Sequence, residues 1–578
     1  MTATAARRAF PWVFVLLALL FAVLMFAGAA VQPPPVRASA AAAQFDANSA
    51  RARLARILGD EAPHPIDSVG QDAALGALIE EIEALGLQPD VRETFACRPN
   101  PSNPVIDCMR VRNVVFAIGP ARGPAIIAAT HHDSVPAAPG ASDAGIGVAA
   151  WLEVARILSQ EPLTRRVIFL ITDGEEIALM GAHVFAANDP DMQAAEALIN
   201  LEARGTRGPA LFFETNRPNA DAIHAFAGAP RGMANSVMAD VYEILPNTTD
   251  VTEFRRQGLD VINIALLDGL EDYHTPQDSL ESQDPRSLQH MGDVALHVTR
   301  TLAGAPDNGG RGDMVFTDLA GRAFVAAPTE LMRPLLAVCA LIAFATFWRA
   351  GKGMRWRVFG LAPLALAGAV GLAYAIGAAF GALRPGEDFW FAHPEATRAW
   401  VVLAALAACA AALWPVRASD ARQAGGAAMA WFAVLGLALS FVTPGISILF
   451  ALPAGVYALG ALGRWFWAPA QRIGAGFAAL LGLIVWAPLF NLVEWALGYS
   501  MPFANALTAA LALMPLLGAL VAAQAAASWR TPTAVMGIAL AGAVAWAAVS
   551  PSVSPERPLS LNVTYVSDAI AGEGRVTA

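Results

Sequence analysis

The sequence predicts two joined bodies: an α/β domain whose sheet carries helices on both faces, and an all-α polytopic membrane domain. Three observations predict them. Most acidic residues and histidines fall before about residue 320, and long apolar runs with few charges follow. The 578 residues are 56% hydrophobic and only 15% charged, which is little charge for a soluble chain of this length. Within the polar half, apolar strand-like runs alternate with amphipathic helical ones.

Taken in order, residues 1–9 carry Arg7 and Arg8 and precede the apolar run Phe10–Val31. That run exceeds the roughly 20 residues needed to cross a bilayer. The ASAAAAQ stretch behind it has the look of a cleavage site, but the run is longer than a signal-peptide core, which favours an uncleaved anchor over 10–31. The paired arginines put residues 1–9 in the cytoplasm and the following chain outside.

The α/β pattern runs from about 40 to 305. Candidate strands are VRNVVFAIG, AIIAATHHD, RVIFLITDG, AEALINLEA, ALFFET and VINIALLD. Candidate helices are Ser49–Leu58, Ala73–Leu85, Gly145–Leu158, Leu179–Ala187 and Pro285–Leu302. Strands that are apolar almost throughout suit a sheet covered on both faces. A Gly/Asp-rich linker is expected over 306–330.

Eight further apolar runs fill 331–550, at about 331–348, 358–380, 399–416, 427–443, 445–463, 473–490, 504–525 and 533–550. With the anchor they make nine spans. Alternate loops hold Arg349, Lys352, Arg355 and Arg357, then Arg417 and Arg422, then Arg464 and Arg472, then Arg530; the intervening loops hold only Arg384 and Arg398. The positive-inside rule therefore places residues 32–330 and the tail 551–578 on one outer side. The plain alternative, a series of buried soluble helices, does not explain eight runs with alternating basic loops. The spans lack a chain of buried carboxylates or histidines, which argues against a transporter.

A net charge of −10 with no Lys/Arg cluster excludes a nucleic-acid partner. Of four cysteines, Cys97 and Cys108 lie in the polar half, and no CxxC pair suggests a cysteine zinc site. Outside the cytoplasm a Cys97–Cys108 disulfide is plausible; the alternative is two unrelated thiols. The Arg/Ala-rich, Lys-poor composition suggests a bacterial source, which makes the outer side a periplasm and the membrane a bacterial inner membrane.

Five segments concentrate the acids and histidines of the polar half: THHDSVPAAPGASDAG, ITDGEEIALMG, INLEARG, NTTDVTEF and DYHTPQDS. Most follow an apolar strand, where α/β sheets place their sites. A metal-dependent hydrolase needs a few histidines and carboxylates converging from separate loops, plus a free carboxylate as general base. Each segment alone reads equally well as a cap or a charged turn. Neighbouring His131 and His132 point to opposite faces of a strand, so at most one is a ligand.

In order and context, these segments resemble the zinc aminopeptidases that include bacterial leucyl aminopeptidase, aminopeptidase Y and glutamate carboxypeptidase II. The shared pattern is His-x-Asp, Gly-Ala-x-Asp, Glu-Glu, Asp/Glu and His, and the likeness covers about 45–305. It implies an α/β zinc-exopeptidase fold with a mixed sheet, two Zn²⁺ ions and a peptide substrate. It implies metal ligands His131, Asp143 (bridging), Glu176, Glu202 and His274, with Glu175 as general base and Asp133 orienting His131. Glu202 stands where many relatives have Asp. Tyr273 is a candidate oxyanion donor. Asp250 reads either as a residue near the site or as a helix N-cap, given Glu253 three residues on. One span before and about eight after such a domain resemble the endoplasmic reticulum metallopeptidase (felix-ina) branch, though the tail here is shorter. The expected activity is removal of N-terminal residues from peptides by a chain held in the lipid bilayer. The alternatives are a carboxypeptidase, a one-zinc glutaminyl cyclase, and a non-catalytic receptor or scaffold.

Overall fold

The computed structural model describes residues 32–99, 106–245, 247–255, 258–304, 312–351, 353, 355–416, 419–524, 530–555, 557–558, 563–568 and 573–577. The anchor expected over 10–31 lies outside them.

Eight strands form one mixed sheet: β1 (Asp90–Pro99), β2 (Ile106–Ile118), β3 (Ala125–His131), β4 (Arg166–Thr172), β5 (Ala195–Ala203), β6 (Leu211–Glu214), β7 (Met233–Ala234) and β8 (Asp260–Leu266). Their order is β1-β2-β4-β3-β5-β8-β6-β7. The four central strands, β4, β3, β5 and β8, run parallel, so their carboxyl ends share one edge. β2 and β6 flank them antiparallel.

Alternation along β3 explains the two layers. Ile126 and Ala128 join the core under helices Ala47–Leu58, Gly145–Leu158 and Pro285–Gly304. Ile127 and Ala129 join the opposite core with Phe185 of Met180–Asn188 and Phe254 of Val251–Phe254. Successive residues of a strand face opposite sides, so a run apolar at every position requires cover on both. Trp151, fully buried, anchors the first layer and donates its indole N–H to the Ala129 carbonyl at 2.8 Å.

One open reading closes here, and the linker is redrawn. The hairpin β1–β2 sets Cys97 opposite Cys108, and the two form a disulfide. The expected linker is in part a second hairpin, β9 (Met314–Leu319) with β10 (Ala323–Pro328). Phe316 of that hairpin stacks on Phe212 of β6 at 5.5 Å, which ties it into the α/β core.

Each of the eight apolar runs is helical, in helices starting at Thr329, Leu361, Pro394, Ala421, Ser447, Ala470, Pro502 and Arg530. Among the described residues, six helices are long and apolar enough to cross a membrane, which supports an integral membrane protein. The loop after Leu383 and the start of the tail lie on the same face of the bundle, where Ser552 Oγ donates to Glu387 Oε2 at 2.9 Å. This face meets the α/β body. Ser236 Oγ donates to the Gly445 carbonyl at 3.0 Å, and Asp240 Oδ2 accepts from the Gly445 amide. A Cβ at Gly445 would lie 2.3 Å from the Ser236 carbonyl oxygen, so this joint requires glycine. Gly445→Ala is therefore expected to cost about 1–3 kcal/mol of docking, as overpacking does. Faster limited proteolysis of the 440–446 segment would show it, and an unchanged cleavage rate would contradict this contact.

Candidate metal centre

The parallel core explains why distant segments converge. His131 ends β3, Glu175 and Glu176 follow β4, Glu202 lies near the end of β5, and His274 follows β8 after a short 3₁₀ turn at Leu270–Asp272. Asp143 stands just before helix Gly145–Leu158. The register of β3 on β5 pairs Ala129 with Asn200, which brings His131 level with Glu202.

Two groups of donor atoms result. His131, Asp143 and Glu202 form one; Asp143, Glu176 and His274 form the other. His131 Nε2 lies 3.3 Å from Asp143 Oδ1 and 3.6 Å from Glu202 Oε2. His274 Nε2 lies 3.2 Å from Asp143 Oδ2 and 3.1 Å from Glu176 Oε2. Asp143 Oδ2, Glu176 Oε1 and His274 Nε2 are nevertheless buried without a hydrogen-bond partner among the described residues. In each group the offered donor atoms all lie within 4.8 Å of one another. Two donors on a tetrahedral zinc, with bonds of about 2.0–2.1 Å, stand about 3.3 Å apart. The donor set therefore fits zinc in both groups.

The surrounding bonds set the imidazole tautomer and the loops. His131 Nδ1 is 3.0 Å from the Asp133 carbonyl, and donating there leaves Nε2 free to face Asp143 and Glu202. The Asp133 carboxylate sits 3.5 Å from His131 Nδ1, but its clear hydrogen bonds go elsewhere. Oδ1 accepts from the Glu175 amide at 3.0 Å and Oδ2 from the Glu176 amide at 3.2 Å. Asp133 thus holds the Glu175–Glu176 turn as well as facing the ring. Asn200 Nδ2 donates to Glu202 Oε1 at 3.1 Å, leaving Oε2 for the first group. His132 turns away, with Nε2 at 3.2 Å from the Arg112 carbonyl.

Desolvation, reinforced by the nearby carboxylates of Glu202, Asp250 and Glu176, raises the Glu175 carboxyl well above its ordinary range. Burial and Asp143 push Glu176 up to about 7. Burial disfavours the charged ring of His274, but Asp143 and Glu176 hold it up at about 9. Such crowding of like charge is what cations relieve.

Of the two readings of Asp250, the helix cap is not the one the side chain adopts. It stands at the N-cap of Val251–Phe254, yet its side chain makes no capping bond. Its Oδ2 instead accepts from Thr172 Oγ1 at the end of β4, behind the site. Tyr273 stacks on His274, ring centroids 3.7 Å apart.

Asp278 is a residue the sequence reading passed over, although DYHTPQDS contains it. Its Oδ1 accepts from the Ser142 amide at 2.8 Å and its Oδ2 from the Asp143 amide at 3.1 Å. It pins the Asp143 loop to the His274 loop. Gly140 makes that loop possible: its φ is +67°, and a Cβ there would sit 2.8 Å from the Asp143 carbonyl oxygen. Asp278→Asn removes one of two acceptors. Metal affinity is expected to fall about 10–100-fold, as it does when a ligand loses its supporting bond. Chelator competition measures this, and wild-type affinity in the variant would refute the pinning role.

Residues 113–299 match the model of Peptidase family M28. Endoplasmic reticulum metallopeptidase 1 of Homo sapiens is 35% identical over 234 residues, covering 38% of this chain and 26% of that protein. Vacuolar membrane protease of Candida albicans (strain SC5314 / ATCC MYA-2876) is 28% identical over 259 residues, covering 44% of this chain and 30% of that protein. The matched segments thus span about a quarter to a third of these relatives. Among solved structures, a zinc aminopeptidase from Bacillus subtilis aligns with a TM-score of 0.36 and 15% identity, covering 46% of this chain and 97% of that one. Bacteroides thetaiotaomicron glutaminyl cyclase aligns with a TM-score of 0.37 and 20% identity, covering 44% and 97%.

Proposed function

We propose that this chain is a membrane-anchored di-zinc metallopeptidase that removes N-terminal residues from peptides at the periplasmic face of a bacterial inner membrane. The observation that carries this reading is the pair of three-donor groups sharing Asp143. On this reading His131 and Glu202 would hold one zinc and Glu176 and His274 the other, with Asp143 offering an oxygen to each. Residues 40–305 are the catalytic domain, 10–31 an anchor, 306–330 a connection, 331–550 the membrane domain and 551–578 an outer tail. The alternation of arginine-rich and arginine-poor loops supports the orientation.

When bound, the two zincs supply Lewis-acid polarisation of the scissile carbonyl and acidify an attacking water. The chain supplies the proton handling and the alignment. Glu175, fixed through its amide by Asp133, takes the proton of the water on its carboxylate and delivers it to the leaving amine. Tyr273, stacked on His274, offers its hydroxyl to the developing oxyanion. Asp250 supports the site from behind through Thr172.

The test is metal analysis of the purified full chain together with hydrolysis of peptides bearing free or blocked ends. Two zincs per chain and cleavage only of free N-termini are expected. Cleavage that requires a free C-terminus would replace aminopeptidase by carboxypeptidase. One zinc with cyclisation of N-terminal glutamine would replace hydrolysis by the cyclase reading.

A further inference from the structure

One row of side chains crosses the middle of the sheet and is polar where its surroundings are apolar. The register sets Asn200 of β5 beside Asn263 of β8, and Asn263 beside Glu214 of β6. Asn263 is the one polar residue between Val261 and Leu266. All three residues of the row are buried, with 0%, 0% and 2% exposure. Polar groups in a sheet core are costly unless each finds a partner.

The partners form a directed chain of bonds. At its outer end, exposed Arg255 donates through Nε to Glu214 Oε1 at 2.8 Å. Glu214 Oε2 accepts from Asn263 Nδ2 at 2.6 Å, and the same Nδ2 reaches Thr249 Oγ1 at 3.0 Å. Asn263 Oδ1 accepts from Asn200 Nδ2 at 3.1 Å. Asn200 Nδ2 gives its other N–H to Glu202 Oε1, also at 3.1 Å. A carboxylate held by a guanidinium only accepts, so Glu214 decides which end of the Asn263 amide faces it. That turns Asn263 Oδ1 toward Asn200, and an oxygen there selects the N–H end of the Asn200 amide. Asn200 Oδ1 is left buried with no hydrogen-bond partner among the described residues. The reverse orientation would set that oxygen against Asn263 Oδ1 and the Glu202 carboxylate together, which costs more than one unpaired acceptor.

We propose that Asn263 is a positioning residue for the metal ligand Glu202, acting through Asn200. Asn263 belongs to neither donor group. It takes its orientation from Glu214 and imposes one on Asn200, whose N–H then holds Glu202 Oε1. Glu202 Oε2 alone is left to face His131, at 3.6 Å from Nε2. Without Asn263 the Asn200 amide is free to turn its oxygen on the Glu202 carboxylate, which loosens that ligand. The chain of bonds ends at Glu202, so the group of Glu176 and His274 is spared. The inference rests on the reading that His131, Asp143 and Glu202 hold a zinc.

The experiment is zinc titration of the full chain by chelator competition, which resolves two binding steps. Asn263→Leu, close to asparagine in size, is expected to weaken one step about ten-fold, the low end for a lost supporting bond, and to leave the other within about two-fold. Asn200→Leu is expected to weaken the same step at least as much. The double variant is expected to be no weaker than Asn200→Leu alone, because residues that act through one another do not add. A merely structural role for Asn263 would instead weaken both steps alike or add to the effect of Asn200→Leu, and either result overturns the proposal. Unchanged zinc affinity in Asn263→Leu overturns it too. A wild-type chain that takes up fewer than two zincs overturns the reading of the two donor groups, and the proposal falls with it.

Discussion

Glu175→Gln is expected to leave the metal content of the protein unchanged and to lower kcat by about 10²–10⁴-fold, the range for losing a general base. The amide keeps the size of the side chain. Asp133 reaches this turn through the backbone N–H groups of Glu175 and Glu176, so the turn holds its shape in the variant. Neither donor group contains Glu175. What the variant loses is the one carboxylate of the Glu175–Glu176 pair that is free to take a proton. The loss should appear in kcat with little change in KM, because the deleted step follows substrate binding. Single-turnover hydrolysis with parallel metal analysis separates the outcomes. Wild-type turnover in the variant would sink the general-base assignment, and loss of zinc would recast Glu175 as a ligand.

The core strands were legible because burial on both faces leaves a plain mark. RVIFLIT and AIIAATH are apolar at every position, and both are central strands of the sheet. β1 was not legible. DVRETFACRP is exposed or half-exposed along its whole length, so neither periodicity nor hydrophobicity separates it from a loop. Its strand character comes from pairing with β2. The β9–β10 hairpin was missed for a different reason: an expected boundary between two bodies hid a segment whose Phe316 packs onto one of them.

At the site, residue types were readable and their second contacts were not. Donor residues betray themselves by chemistry and by position after a strand. Asp278 acts by accepting two amides of a loop more than a hundred residues away in sequence, and no local pattern records that. Asp133 was expected to orient His131. In the fold its carbonyl meets the ring while its carboxylate organises the Glu175–Glu176 turn, a division of labour visible only once β3 and β4 lie side by side. Asp250 carried the signature of a cap, but Thr172 claims its side chain because both are buried together.

Asp143→Ala is expected to have the largest effect on metal content, because its two oxygens serve different groups. Oδ1 faces His131 and Oδ2 faces His274. Removing the side chain leaves two protein donors in each group, one fewer than the three that catalytic zinc sites keep. Glu176→Ala removes a donor from the second group alone. Wild-type chain should therefore hold two zincs, Glu176→Ala one, and Asp143→Ala close to none at equal free zinc. A graded result of this kind distinguishes a shared carboxylate from two independent sites, for which each single variant would lose one ion. Retention of one zinc at wild-type affinity in Asp143→Ala would show that the two groups do not depend on a common ligand. Loss of both ions in Glu176→Ala would show instead that the second zinc is needed to hold the first, as a strongly coupled pair requires. Either outcome changes which residues govern assembly of the centre, and both are read from metal stoichiometry without any assay of turnover.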